Sequence, residues 1–406
     1  MGPTRNTATL VLVAFALAGV IFSGVSTYDY VAFLDRQVHA ITCSFVPGIG
    51  AADTGGSSGC HAVLMSPYSA VLRTWTWGGI PIALPALAVF AFLLFRASGL
   101  FLQRLARDAN ESRFTVAATL LPVVASVVYF LISVLRVGAV CKLCVGIYLA
   151  SLGAFVAAIV AHRQAVRSIG PRPIPWGRYA GYFFEGVAFV AVPVLLYVAL
   201  KPAYADTVAR CGELLHPEDR YGVRVKLTSP RDGVPAIEVL DPLCPACKGF
   251  SQRLAVSGLG LRLARELVLF PLDKECNWMV SESLHPGACA VSEAVLCGGV
   301  RADQVLEWAF DNQAQLRELG KDPERVYTRI RNQFPQLADC LGTPAVRSRL
   351  NRSLRWTVAN SLPVVTPQLF VRGQKVCDED TDLGLEYVLS RMLAGGQPVG
   401  QRHVAR

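Results

Sequence analysis

Charge is what this sequence has least of. Asp, Glu, Lys and Arg make up 17% of its 406 residues, and the mean hydropathy of +0.39 is too apolar for an ordinary soluble enzyme. The scarcity is local: long uncharged stretches fill the first half, whereas the chain after Lys201 carries charges in helical spacing. A basic array interleaved with aromatics is also missing, so the formal charge of +9 does not point to nucleic acid. The first apolar stretch has Arg5 as its only basic leader and no convincing small-x-small cleavage site, and it reads as a retained anchor. A compact Cys/His ligand pattern is lacking too. His39 and His61 with the loop cysteines offer the only zinc alternative, and no metal is expected.

What is present begins with five stretches near the 20 apolar residues that cross a bilayer: residues 8–26, 78–95, 114–134, 138–162 and 184–200. Arg96, Arg104, Arg107 and Arg113 lie between the second and third, and Arg163, Arg167, Arg172 and Arg178 between the fourth and fifth. Basic loops stay in the cytoplasm, which places the N-terminus inside. The 28–77 loop, the turn around Arg136 and everything after Lys201 then face outward. All 12 cysteines fall on that outward side or at the outer end of a span, as expected for a thiol machine in an oxidising compartment.

Cys141 and Cys144 stand in CKLCVGIYLAS, within the predicted first turns of the fourth span. The i, i+3 spacing puts both sulfurs on one helix face, and a helix N-terminus favours thiolate. Cys43 and Cys60 flank the run SFVPGIGAADTGGSSG in the outward loop, followed by HAVLMSPYSAVL, predicted as a short helix at the membrane surface. A mobile loop with two thiols above a membrane-edge CxxC is arranged as a shuttle. These pieces resemble the vitamin K epoxide reductase family and its bacterial homologues, which use a loop cysteine pair, a serine six residues later and a CxxC on the last core helix. The resemblance implies that Cys43 and Cys60 are the shuttle pair, Ser66 the serine, and Cys141 with Cys144 the quinone-site pair. It further implies that Cys144 meets quinone, Cys141 meets Cys60, and Tyr148 hydrogen-bonds the quinone. The sequence departs from the family in the loop, where the two cysteines stand much further apart than the few residues usual there.

After the fifth span, VPAIEVLD reads as a strand and PLCPACKGFSQRL turns helical. Strand, CxxC, helix is the thioredoxin arrangement, with Cys244 as nucleophile at the helix N-terminus and Cys247 resolving the mixed disulfide. Pro245 is tolerated in the first helical turn. Downstream, VVTPQLFVRGQKV resembles the Thr-Pro strand that faces CxxC in thioredoxin folds, which implies a cis bond before Pro367. The residues between, 274–362, read mostly as helices, and such an insertion resembles DsbA-type oxidoreductases. Cys211, Cys276, Cys289, Cys297, Cys340 and Cys377 remain; six cysteines allow about 15 complete pairings, and mostly structural disulfides are expected.

The expected fold is a membrane all-α bundle, a four-helix core plus a fifth linking helix, followed by an α/β thioredoxin-like domain with a helical insertion. The expected boundaries are 1–165 for the transmembrane domain, 166–225 for the fifth helix and linker, 226–396 for the thioredoxin-like domain and 397–406 for a tail. The expected function is a membrane thiol oxidase in a bacterial inner membrane, passing electrons from CPAC through the loop cysteines to CKLC and on to ubiquinone or menaquinone. Its partners would be reduced exported proteins or a soluble thiol-disulfide oxidoreductase. Two alternatives use the same residues: a vitamin K-type quinone or epoxide reductase with thiols as donor, and a membrane-tethered isomerase or chaperone.

Overall fold

The computed structural model describes residues 7–35, 41–43, 59–102, 109–170, 173–202, 204, 208, 210–230 and 232–394. Arg5, His39, Arg104, Arg107, Arg172, nearly all of the run between Cys43 and Cys60, and the 397–406 tail lie outside them. The chain divides into two compact units, one of Met1–Leu72 with Gly78–Pro202 and one of Arg73–Trp77 with Ala203–Arg406.

The first unit holds six helices among its described residues: α1 (Thr7–Ala32), the short α2 (Gly59–Leu64), α3 (Ala83–Leu102), α4 (Ala109–Ile132), α5 (Lys142–Ile169) and α6 (Trp176–Leu200). Five of them, with their 3-10 and π extensions, are long and apolar enough to cross a membrane: Thr7–Asp35, Ala83–Leu102, Ala109–Val137, Lys142–Ser168 and Trp176–Leu200. This supports a multi-pass membrane protein. Packing between such helices depends on small residues that admit bulky partners. Gly146 and Gly153 of α5 receive the rings of Phe22 and Phe15 from α1, and Gly19 of α1 receives Phe90 from α3. Ala150, Ala154, Ala157, Ala158, Ala161 and Ala165 give α5 its remaining buried stripe. Hydroxyls join α4 to α5, where Ser126 Oγ donates to Ser151 Oγ at 3.0 Å. The fifth long helix, α6, has no buried residue and packs on α3. Arg96 on α3 pairs with Glu111 and Glu185, each at 3.4 Å, so one of the arginines that set the expected orientation is partly neutralised.

Four span starts differ from expectation: the third and fifth spans begin earlier, at Ala109 rather than residue 114 and at Trp176 rather than residue 184, while the second and fourth begin later. The second begins at Ala83, because Gly78 and Gly79 take positive φ (70° and 71°) and a two-residue strand β2 (Ile80–Pro81) pairs antiparallel with β1 (Ala70–Val71). The fourth begins at Lys142, because a π turn, Ser133–Val137, ends on left-handed Gly138 (φ 70°) and the chain then runs extended. The segment HAVLMSPYSAVL is helical only through Leu64 before it turns into β1, whose pairing with β2 replaces the rest of the expected helix.

The second unit is a mixed sheet with helices, a layout compatible with a thioredoxin-like fold. Strands β3 (Val225–Lys226), β4 (Val234–Leu240), β5 (Leu263–Leu269), β6 (Gln368–Val371) and β7 (Gln374–Lys375) lie in the order β3-β5-β4-β6-β7. Only β4 and β5 pair in parallel, from Val234 opposite Leu263 to Leu240 opposite Leu269. The crossover between them is α7 (Pro245–Ser257). Five helices follow β5: α8 (Ala288–Gly298), α9 (Ala302–Asp311), α10 (Gln313–Leu319), α11 (Pro323–Gln333) and α12 (Pro344–Ala359). The apolar face of α8, including Val291 and Val295, is buried in the core with Leu267, Leu269 and Val305. α13 (Leu385–Ala394) closes the chain's described part.

Arg73–Trp77 belongs to this second unit although its sequence neighbours belong to the first, a division that the sequence did not foretell. Trp77 Nε1 donates to Asp380 at 2.8 Å, and the buried Arg73 stands 4.0 Å from Glu386, which also pairs with buried Arg253 at 3.4 Å.

Candidate active sites

In the membrane unit the site is set by how α5 starts. Cys141 is extended (φ −94°, ψ 126°) and is the N-cap residue, so Cys144 occupies the third helical position. Both cysteines stay at the helix N-terminus, but Cys141 precedes the helix instead of lying in its first turn, because Gly138 delays the helix start. Cys141 and Cys144 are free, while Cys43 and Cys60 are joined as a disulfide with Cα atoms 5.8 Å apart. Gly59 lies so close to Val140 that any side chain there would overlap the Val140 carbonyl oxygen, and this approach brings the chain at Cys60 up to the chain at Cys141.

Cys60, Ser66, Cys141, Cys144 and Tyr148 all line one cavity with a mostly apolar wall, and Cys43 joins them through its bond to Cys60. The Ser66 hydroxyl donates to the Val63 carbonyl at 2.8 Å, and the Tyr148 ring meets Phe130 edge-on with centroids 6.1 Å apart. Reasoning from sequence passed over Asp29, Tyr30, Tyr68 and Tyr129 in the same wall. Asp29 accepts the Thr42 N–H at 3.0 Å and its hydroxyl at 3.3 Å, tying the residue before Cys43 to the end of α1. Read from sequence, the first span ends at residue 26 and Asp29 falls in the outward loop; only the helix running on to Ala32 puts this acid inside an apolar span, where a charge is costly. A dithiol in an apolar cavity can give two electrons and two protons to an apolar acceptor, closing to a disulfide as it does so.

In the second unit, β4 ends at Leu240 and the chain turns through Asp241, Pro242 and Leu243 to Cys244, again an extended N-cap residue (φ −76°, ψ 122°), with Pro245 opening α7. The Asp241 carboxylate makes the turn: it accepts from Leu243 N–H at 2.7 Å, from Leu272 N–H at 2.8 Å and from His285 Nδ1 at 2.7 Å. Gln313 holds the other side, donating to the carbonyls of Pro242 at 3.1 Å and Cys244 at 2.9 Å. Cys244 Sγ lies 3.6 Å from the Thr366 carbonyl oxygen, and the bond between Thr366 and Pro367 is cis. A hydrogen bond from the Cys247 thiol outweighs burial and the opposing Asp241 charge and, with smaller help from Thr366 and then from the positive charge of His285, holds the Cys244 thiol down at about 6. Burial pushes the fully enclosed Cys247 thiol well up. For His285, burial opposes the cation, but the Asp241 carboxylate prevails and raises its pKa.

Asp241, His285 and Gln313 were not among the sequence candidates. The first carried a visible signal, an acid at the end of a strand just before CPAC. The others are brought in by the insertion and carried none. Glu238, buried in β4, is held by Arg265 through two contacts of 2.5 and 2.9 Å. The six remaining cysteines pair as Cys211 with Cys377, Cys276 with Cys289, and Cys297 with Cys340. Among the described residues, the one group with metal-ligand spacing is Cys211, Cys377 and Glu379, and its two sulfurs are those of a disulfide. His61, from the zinc alternative, packs edge-on against Phe33.

No curated protein and no solved structure matches the chain. Residues 10–159, from α1 into α5 and including Cys43, Cys60, Cys141 and Cys144, match the model of the vitamin K epoxide reductase family, so the membrane unit is similar to a family of quinone- or epoxide-linked thiol oxidoreductases.

Proposed function

We propose that the chain is a membrane thiol oxidase that makes disulfide bonds in exported proteins and delivers the electrons to ubiquinone or menaquinone. The observation that carries this reading is the single cavity lined by Cys60, Cys141, Cys144 and Tyr148, a dithiol beside a disulfide in an apolar chamber. Reduced clients would be oxidised at Cys244 and Cys247 in a thioredoxin-like domain, with each transfer a thiolate attack through a mixed disulfide. The Cys43–Cys60 disulfide would take the electron pair from Cys244 and Cys247 and pass it to Cys141 and Cys144. Cys144, inside the helix, would face the quinone, and Cys141, at the N-cap near Cys60, would exchange with the loop. The last step balances without a further reactant: the dithiol closes to a disulfide and the quinone takes two electrons and two protons.

The acidity of Cys244 supports the oxidising direction. A thiol held at about 6 is mostly thiolate at pH 7, whereas an ordinary one near 9.0 is not. This stabilises the reduced form by about 1.4 kcal/mol at pH 7, or about 30 mV, and makes the disulfide form a stronger oxidant. The five-span count, with Arg113, Arg163, Arg167 and Arg178 held inside, would put the second unit on the periplasmic face of a bacterial inner membrane.

The test is turnover by the purified full-length protein with a reduced, unfolded client and a short-chain ubiquinone or menaquinone. Quinone absorbance and client thiols should fall together, one quinone for every two thiols. Loss of thiols without quinone consumption would favour the isomerase reading. A gain of client thiols at the expense of quinol would favour the reductive one.

A further inference from the structure

The Asp241 carboxylate is completely buried beneath the CPAC turn, and a buried charge is tolerated only when it is paired and hydrogen-bonded. Two of its three hydrogen bonds come from backbone N–H groups, which carry no net charge. The third comes from His285, the cationic partner in contact with it. Backbone geometry fixes this pairing: Leu272 gives its N–H to Asp241 while its carbonyl accepts from the N–H groups of Leu284 and His285 at 3.0 and 3.2 Å. The same Asp241 receives the Cys244 N–H on its own carbonyl at 3.2 Å, so carboxylate, imidazole and nucleophile share one short stretch of structure.

We propose that His285 is a positioning residue for the CPAC site, its imidazolium cancelling the Asp241 charge so that Cys244 can stand above it as a thiolate. With the imidazole neutral or absent, an uncompensated carboxylate lies under the attacking sulfur, and two negative charges in a buried site disfavour each other. The other charged groups facing His285 leave it in this role. Arg317 opposes the imidazolium and the Cys244 thiolate supports it. Asp273 is turned to the N–H groups of Gly287 and Cys289 and to the Ser283 hydroxyl. Cys247 remains a thiol. The inference rests on the reading of Cys244 as the attacking thiolate and is independent of quinone.

The experiment follows alkylation of Cys244 by iodoacetamide in the reduced full-length protein from pH 4.5 to 8.5, read by peptide mass spectrometry without client or quinone. His285→Gln should move the midpoint up by roughly one pH unit, while His285→Arg, which keeps the positive charge, should leave it near that of the unaltered protein. Asp241→Asn, measured where the variant remains folded, should move the midpoint in the opposite direction from His285→Gln. A purely structural role would make the Gln and Arg variants behave alike, and either that result or an unmoved midpoint in His285→Gln overturns the proposal. If the midpoints move as expected but the unaltered protein oxidises no client with quinone, the oxidase reading fails and the role of His285 stands.

Discussion

The two CxxC motifs of this chain begin their helices in the same way and differ in everything around them. Cys141 and Cys244 are both extended N-cap residues, with ψ of 126° and 122°, and their partners three residues on lie in the first helical turn. That shared start favours thiolate at the first sulfur through the backbone N–H groups and the helix dipole. Around Cys144 the wall is apolar and carries tyrosines, which suits the proposed quinone acceptor. Around Cys244 the setting is a buried ion pair, a glutamine that grips the turn and a cis-proline loop, which suits the proposed sulfur exchange with a client. On the proposed reading, the shared helix start supplies reactivity and the surroundings select the partner.

If that division is right, the largest effect comes from Cys144→Ser. Quinone reduction should fall to the uncatalysed background, while Cys244 and Cys247 still exchange with small dithiols at their normal rate; parallel quinone and dithiol assays check both. Full quinone turnover by the variant would remove the membrane motif from the chemistry and leave no contrast to explain.

A smaller effect is the acid limb of the soluble motif. The thiolate is the reactive form and is lost as pH falls through the folded value, so alkylation of Cys244 should be half-maximal near pH 6 and drop about tenfold per unit below it. A midpoint near 9 would mean that the helix start and its surroundings confer no activation.

The smallest is Tyr148→Phe. Losing one hydrogen bond to a quinone carbonyl, worth about 1 kcal/mol, should raise the KM for quinone roughly three- to tenfold and leave dithiol exchange at Cys244 unchanged. An unaltered KM would reduce Tyr148 to the edge-on partner of Phe130.

Much of this was legible in the residues, for reasons specific to each. The five spans follow from runs of apolar side chains, and β4 from VPAIEVL followed by a turn proline. The start of α5 was misplaced because Val137, Ala139 and Val140 are apolar enough to extend the span, whereas the positive φ of Gly138 becomes visible only in three dimensions. The disulfide pairing was closed to sequence reasoning, since Cys211 and Cys377 are 166 residues apart and meet only once the sheet is built. Asp29 reads as a loop acid, because only the folded α1 runs on to Ala32, whereas Asp241 was visible as an acid in an unusual place, at the end of an apolar strand run. His285 was not, because its place under CPAC depends on how Leu272 holds two backbone segments at once.

The bridges have a consequence for how such a protein comes into being. Cys211–Cys377, Cys276–Cys289 and Cys297–Cys340 close spans of 166, 13 and 43 residues in the second unit. A native bridge in a domain contributes roughly 2–4 kcal/mol, so three together rival the whole folding margin of about 5–15 kcal/mol. On the proposed topology, a newly exported chain, still reduced, lacks much of what holds its CPAC site in shape. As the proposed oxidase, the protein would be among its own first clients, and each finished molecule would ripen the next. Its abundance would then grow autocatalytically from copies already mature, and a cell stripped of them would restart only at the pace of uncatalysed oxidation.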